Sequence, residues 1–246
     1  MIKRNYYKIV RVFPDPSSYF YIKNETMNEV EFSVDYDWLS TVNLEYSFDK
    51  VNWKRFNRAY IYGVTGDSYI YLRNNSGTFC TSEYNNVLHL SFDCSVGGDI
   101  RTLFNYTDVD SVTAIPPYGL KNMFSGYSGR LKDISNLSFR GITSIGDYGL
   151  YGTFSQSWVE ITKGVDLRDV TTIGNYALHE LYAYNSNLKE AYAPNVSTWD
   201  SNKTEFWLSG VAPTGVLYKP STLDIPTDYN NSGVPSGWTT QDYPVK

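Results

Sequence analysis

Between Val30 and Trp38 the chain reads VEFSVDYDW, apolar and polar in strict alternation, the period of a strand with one buried face. Leu44, Tyr46 and Phe48 carry the habit into a second run, and a turn over Asp49 to Trp53 leads into another. Ala59 to Tyr62 and Tyr69 to Leu72 flank GVTGD, Gly63 to Asp67, as the arms of a hairpin, and Val87 to Phe92 adds a further strand. Short strands separated by turn residues predict an antiparallel β-sandwich-like domain over residues 17–97. Residues 1–16, ahead of it, read either as a first strand or as an anchoring arm.

After Gly97 and Gly98 the pattern changes. ITSIGDYGLYGTF, from Ile142 to Phe154, returns as VTTIGNYALHELY from Val170 to Tyr182. An earlier copy runs from Val112 to Leu120, and a degenerate fourth start is VSTW, Val196 to Trp199. The starts lie 30, 28 and 26 residues apart, a spacing that predicts a short leucine-rich-repeat-like solenoid over residues 98–209, one strand and one short helix per repeat. The fold class expected is therefore mainly β. Asp147 and Asn175 are placed to cap those helices, and Pro116 and Pro117 suit a first helical turn. Small residues at 119, 149 and 177 would let coils approach closely. Ile115, Leu120, Ile145, Leu150, Ile173 and Leu178 are the expected repeat core.

One buried Leu or Ile stabilises by roughly 1.5–3 kcal/mol, whereas ordering each residue costs about 1–2 kcal/mol of backbone entropy. A lone repeat cannot fold on such anchors; it must bury them against its neighbours. The ends then need covers, for which the strand domain and the proline-rich segment 210–246, an irregular C-terminal cap, are available.

Composition narrows the function. With 17% aromatic and 19% charged residues, including 23 Tyr and 6 Trp in 246 positions, the chain is not a disordered one. A net charge of -5 argues against a nucleic-acid partner, which needs a basic face. No apolar run approaches the roughly 18 residues of a membrane span, so membrane insertion is not expected. MIKRNYYKIV lacks the apolar region of a secretory signal, which predicts either a protein used without that route of export, the reading favoured by the initial Met, or one whose signal has been removed. Cys80 and Cys94 are expected as buried thiols rather than a disulfide.

Candidate chemistry is sparse. No GxSxG, HExxH, Walker or GxGxxG motif occurs, and His89 and His179 lack acidic or Cys partners at ligand spacing. No catalytic residue, metal site or cofactor is assigned. Aromatic side chains are the better lead, since rigid amphipathic rings give contact area at low entropic cost. Trp158, Tyr182, Tyr184, Tyr192, Trp199 and Trp207 fall at repeat edges or in the last coils and are the candidate surface-binding set. In the arm, Lys3, Arg4, Lys8 and Arg11 interleave with Tyr6 and Tyr7, a pattern suited to strand addition onto another subunit.

The frame resembles the BspA-like leucine-rich repeats, whose units carry a T-x-I-G-x-Y-A-F line; Ile142 to Leu150 and Val170 to Leu178 are the close matches. LEYSFDKVNW (Leu44 to Trp53) and YIYLRNN (Tyr69 to Asn75) resemble stretches that precede such arrays. GDIRTLF (Gly98 to Phe104) resembles their entry, and GVLYKP (Gly215 to Pro220) with GVPSGW (Gly233 to Trp238) their terminus. The resemblance covers roughly residues 40–240 and implies a non-enzymatic surface for binding and adhesion in Bacteroides-group bacteria or their phages. Few, degenerate repeats and no lipoprotein signal depart from the bacterial pattern and point to a phage virion surface protein of head-fibre or decoration type. Its expected partners are capsid proteins through the N-terminal region, and a host surface protein or glycan. A bacterial cell-surface adhesin is the alternative, and a carbohydrate-active enzyme a third. No heptad or collagen stretch specifies a homo-oligomer, and that state is left open.

Overall fold

The computed structural model describes residues 19–57, 60–84, 87–124, 131–155, 160–227 and 231–244. The arm at 1–16 and Trp158 lie outside them. The fold is mainly β, built of several sheets without a barrel. Among the described residues the α-helices are single turns, Tyr36–Leu39 (α1) and Ser201–Thr204 (α2).

The first half pairs segments distant in sequence. Strands β1 (Phe20–Asn24), β2 (Val30–Val34), β3 (Glu45–Ser47) and β4 (Lys54–Arg55) are followed by β5 (Tyr60–Val64), β6 (Tyr69–Arg73), β7 (Leu88–Leu90) and β8 (Cys94–Asp99). One sheet runs β10-β8-β1-β6-β3-β4, where β10 is Leu131–Ser138, and a second runs β5-β2-β7. The strand predicted over Val30 to Trp38 stops at Val34. Asp35 ends it: its carboxylate accepts from the Trp38 N–H at 2.8 Å, caps α1, and swings Trp38 into the core. The expected boundary at 97/98 falls inside β8, which pairs antiparallel with β1 and parallel with β10.

Beyond β8 the pairing becomes parallel and local. β9 (Ala114–Ile115), β11 (Ser144–Ile145) and β12 (Thr172–Ile173) align in register, one from each copy of the repeated line. Ile115, Leu120, Ile145, Leu150, Ile173 and Leu178 are all buried. The fourth start adds no strand to this sheet; Asn195 N–H donates instead to the Val170 carbonyl. The C-terminal segment is less irregular than expected. β14 (Gly215–Lys219) and β15 (Trp238–Asp242) extend β13 (Glu190–Tyr192) as a parallel sheet.

A short helix, α2, follows only the degenerate fourth start; after the other three lines overlapping turns take the place of the expected helices. Gly149, Tyr151 and Thr153 donate to carbonyls three residues back, while Tyr148, Leu150, Gly152 and Phe154 donate to Asn175, Ala177, His179 and Leu181 of the next coil. The preceding coil repeats this, with Tyr118, Leu120, Asn122 and Phe124 donating to Asp147, Gly149, Tyr151 and Thr153. An α-helix would turn every donor beyond its first turn inward; here alternate N–H groups stitch coil to coil. The first turn of each coil has positive φ at its third residue, Tyr118, Tyr148 and Tyr176 at 62°, 58° and 54°, and the last turn has it at Asn122, Gly152 and Glu180.

Small residues work differently from expectation as well. A Cβ on Gly149 would meet Ile145 Cγ2 of its own coil at 2.6 Å. Close approach between coils occurs at Gly146, where a Cβ would meet the Pro117 nitrogen at 2.6 Å.

Candidate binding surface

Stacking the frame also stacks its side chains. Tyr118, Tyr148 and Tyr176 form a ladder with ring centroids 5.1 and 5.0 Å apart and planes within 3° and 18° of parallel. Each such contact adds about 0.5–1.5 kcal/mol beyond burial. The ladder is not core: Tyr118 and Tyr148 are half-buried and Tyr176 is 37% exposed. Lys121 holds its Nζ at 5.4–5.6 Å from the rings of Tyr118, Tyr148 and Tyr151, a shared cation–π contact. Partial burial and the neighbouring Tyr176 and Tyr118 rings raise the Tyr148 pKa.

A second row lies beside the first. Tyr151 stacks on His179 at 4.7 Å and 4°, and the His179 ring meets Phe206 edge-on. His179 Nε2 lies 3.3 Å from a Glu205 carboxylate oxygen, and its buried Nδ1 has no partner among the described residues. Together the rows present phenol hydroxyls, ring edges and one ammonium along one flank. Such a set offers hydrogen bonds and ring contact of the kind that hydroxyl-rich or aromatic groups can use.

Most of the aromatic residues singled out from the sequence lie elsewhere, and the assignment is corrected accordingly. Tyr182 is fully buried: it continues the ladder of Phe124 and Phe154 at 5.8 Å, and its hydroxyl accepts from the Val165 N–H at 2.8 Å. Trp207 is fully buried too, donating Nε1–H to the Gly233 carbonyl, while the half-buried Trp199 donates to Ser232. These two indoles hold the C-terminal segment rather than face a partner. Tyr192 stacks on Tyr218 at 5.0 Å with 5% exposure. Tyr184 alone of the described members stands out, at 62%.

A feature that sequence reading missed marks the opposite ends of the repeats. Asp99 clasps Arg101 and Asp166 clasps Arg168, each carboxylate also accepting the arginine's own N–H. Ser138 stands where the middle copy would have its acid, leaving Arg140 exposed beside a cleft of about 450 Å³ shared with Asp166 and Asp169. The signal lies in the arginine three residues ahead of Thr143 and of Thr171, upstream of the repeated lines that begin at Ile142 and Val170.

Both cysteines are free and buried, with burial pushing their thiols well above the usual range. Among the described residues no helix is long and apolar enough to cross a membrane, and no group of three or more metal-ligating side chains comes together. No family model matches the chain, and comparison with curated proteins and with solved structures finds no match.

Proposed function

We propose that the chain is a non-enzymatic attachment protein of the BspA-like leucine-rich-repeat kind, a head-fibre or decoration protein of a phage virion that offers its repeats to a host surface protein or glycan. In this reading residues 98–209 are a short solenoid, 17–97 a sandwich-like base, and 210–246 the cap. The arm at 1–16 contacts the capsid. The observation that carries the reading is the half-exposed row Tyr118, Tyr148 and Tyr176. A residue repeated for the core alone would be sealed, as Leu150 is; a residue repeated on the flank gives a regular contact surface.

Two measurements test it. Immunogold labelling is expected to find the protein on purified virions, and its absence there would overturn the virion assignment. Binding of the purified chain to host cells or a glycan array is expected to fall at least tenfold in Tyr176→Ala and Lys121→Ala. Cell binding by a protein missing from virions would instead favour the bacterial adhesin.

A further inference from the structure

The N-terminal sheet ends in a small polar cleft on elements separate from the tyrosine ladder. It measures about 210 Å³ and is lined by Asn43, Glu45, Arg55, Asn75 and Tyr106. We propose that this cleft binds an acidic sugar residue, a pyranose ring bearing a carboxylate.

Charge is the first argument. Glu45 on β3 faces Arg55 on the edge strand β4, so cross-strand pairing would join them. Arg73 on β6 is the opposite cross-strand neighbour, and its Nε takes the Glu45 carboxylate. Arg73 is fixed in turn between two rings, its guanidinium carbon 3.9 Å from the Trp53 ring centre and 4.1 Å from that of Tyr106. Arg55 is left exposed, its Nη2 donating only to Asn43 Oδ1 at 3.2 Å, with no carboxylate at ion-pair distance among the described residues. Two guanidiniums thus meet one carboxylate, a local positive balance on a chain of net charge -5. A planar guanidinium is the side chain best shaped to take a carboxylate through two parallel hydrogen bonds.

Preorganisation is the second. Asn74 is fully buried and ties together three of the four segments that carry the lining residues, the fourth, β4 with Arg55, being held by its pairing with β3. Its Oδ1 accepts from the Asn43 N–H at 3.0 Å, and its Nδ2 donates to the Leu103 carbonyl at 2.9 Å. Its own carbonyl accepts the Tyr106 N–H at 3.0 Å. The cleft is therefore shaped before a ligand arrives, which lowers the ordering cost of binding. The carboxamides of Asn43 and Asn75 supply donors and acceptors for ring hydroxyls, and Tyr106 supplies an apolar wall. A bare carboxylate or phosphate would engage Arg55 but leave these groups unused.

The inference does not rest on the attachment function, since it concerns other strands and would hold for a chain of any role. The full chain is titrated with D-glucuronate, D-glucose and acetate, by calorimetry and by amide chemical shifts. Glucuronate is expected to bind saturably, at least tenfold tighter than glucose or acetate, with shifts at Asn43, Asn75 and Tyr106. Arg55→Gln should weaken glucuronate at least tenfold, while Arg140→Gln, at the unrelated corner cleft, should leave it unchanged. Equal affinity for glucose, unchanged affinity in a folded Arg55→Gln, shifts confined to other residues, or no saturable binding would each overturn the proposal. The shift map on the unaltered protein decides the matter even if Arg55→Gln does not fold.

Discussion

Two halves of this chain solve the same problem, satisfying backbone donors and acceptors, by opposite means. In the N-terminal sheet β1 lies between β6 and β8, so segments tens of residues apart must find each other before any bond forms. In the C-terminal stack each coil bonds to the coil one frame later at a near-constant offset. The first arrangement specifies one arrangement of unlike parts; the second specifies a rule. Each half also seals the other. The Cys80 N–H donates to the Gly119 carbonyl of the first coil, and Phe20 stacks on Phe124 at 6.3 Å. The buried apolar side chains accordingly form one continuous core.

That continuity gives the largest expected effect. Leu150→Ala in the middle of the stack should cost about 2–5 kcal/mol and, with one shared core, should shift a single denaturant transition reported alike by probes in both halves. Two separate transitions, only one of them displaced, would show the halves to be independent. Next, Gly146→Ala forces a methyl toward the neighbouring coil and should destabilise by about 1–3 kcal/mol, whereas Gly149→Ala meets Ile145 Cγ2 and the Gly146 carbonyl within its own coil, at the position where the next copy carries Ala177, and should cost less. Equal costs in thermal melts would break the claim that coils touch at Gly146.

A smaller effect tests the turns themselves. At positive φ a glycine should be more stable than alanine by about 1 kcal/mol, the reverse of their order in a helix. Tyr148→Gly should therefore lie above Tyr148→Ala in stability, and the opposite order would restore the helical reading. The smallest effect belongs to the N-terminal half. Asp49 accepts from the Asn52 backbone N–H and side-chain amide and from the Val51 N–H, which holds its carboxyl below the usual carboxylate range. A depressed folded-state pKa means that the unfolded chain takes the proton more readily. The stabilisation is full above the ordinary value of 3.8 and lost as pH falls through the folded one. Asp49→Asn should flatten the acid limb of stability against pH, and an unchanged limb would remove Asp49 from the account.

Sequence carried the rule more clearly than the particular parts. Ile145 and Leu150 could be placed in the core because repetition at fixed spacing has few causes besides stacking. The helix could not be told from the turns, since Leu120, Met123 and Phe124 have the i, i+3, i+4 spacing that both bury. What decides between them is the φ of Tyr118, which residue type does not announce. Tyr182 was misplaced although its neighbours held the answer: it lies six residues after Tyr176, as Phe124 and Phe154 follow Tyr118 and Tyr148. The cleft beside Arg55 was out of reach. It depends on Glu45, flanked across the sheet by Arg73 on β6 and Arg55 on β4, pairing with the first and not the second, which only the folded geometry reveals.

The export of alternate N–H groups from coil to coil has an evolutionary consequence. A duplicated frame inserted between two existing ones would find the same carbonyls on one side and offer the same donors on the other. Descendants can lengthen or shorten the array without redesigning its ends, so copy number is free to drift while the tyrosine row grows or shrinks in step. Lineages that differ in reach can thus differ by whole frames, long before they differ in the residues that join them.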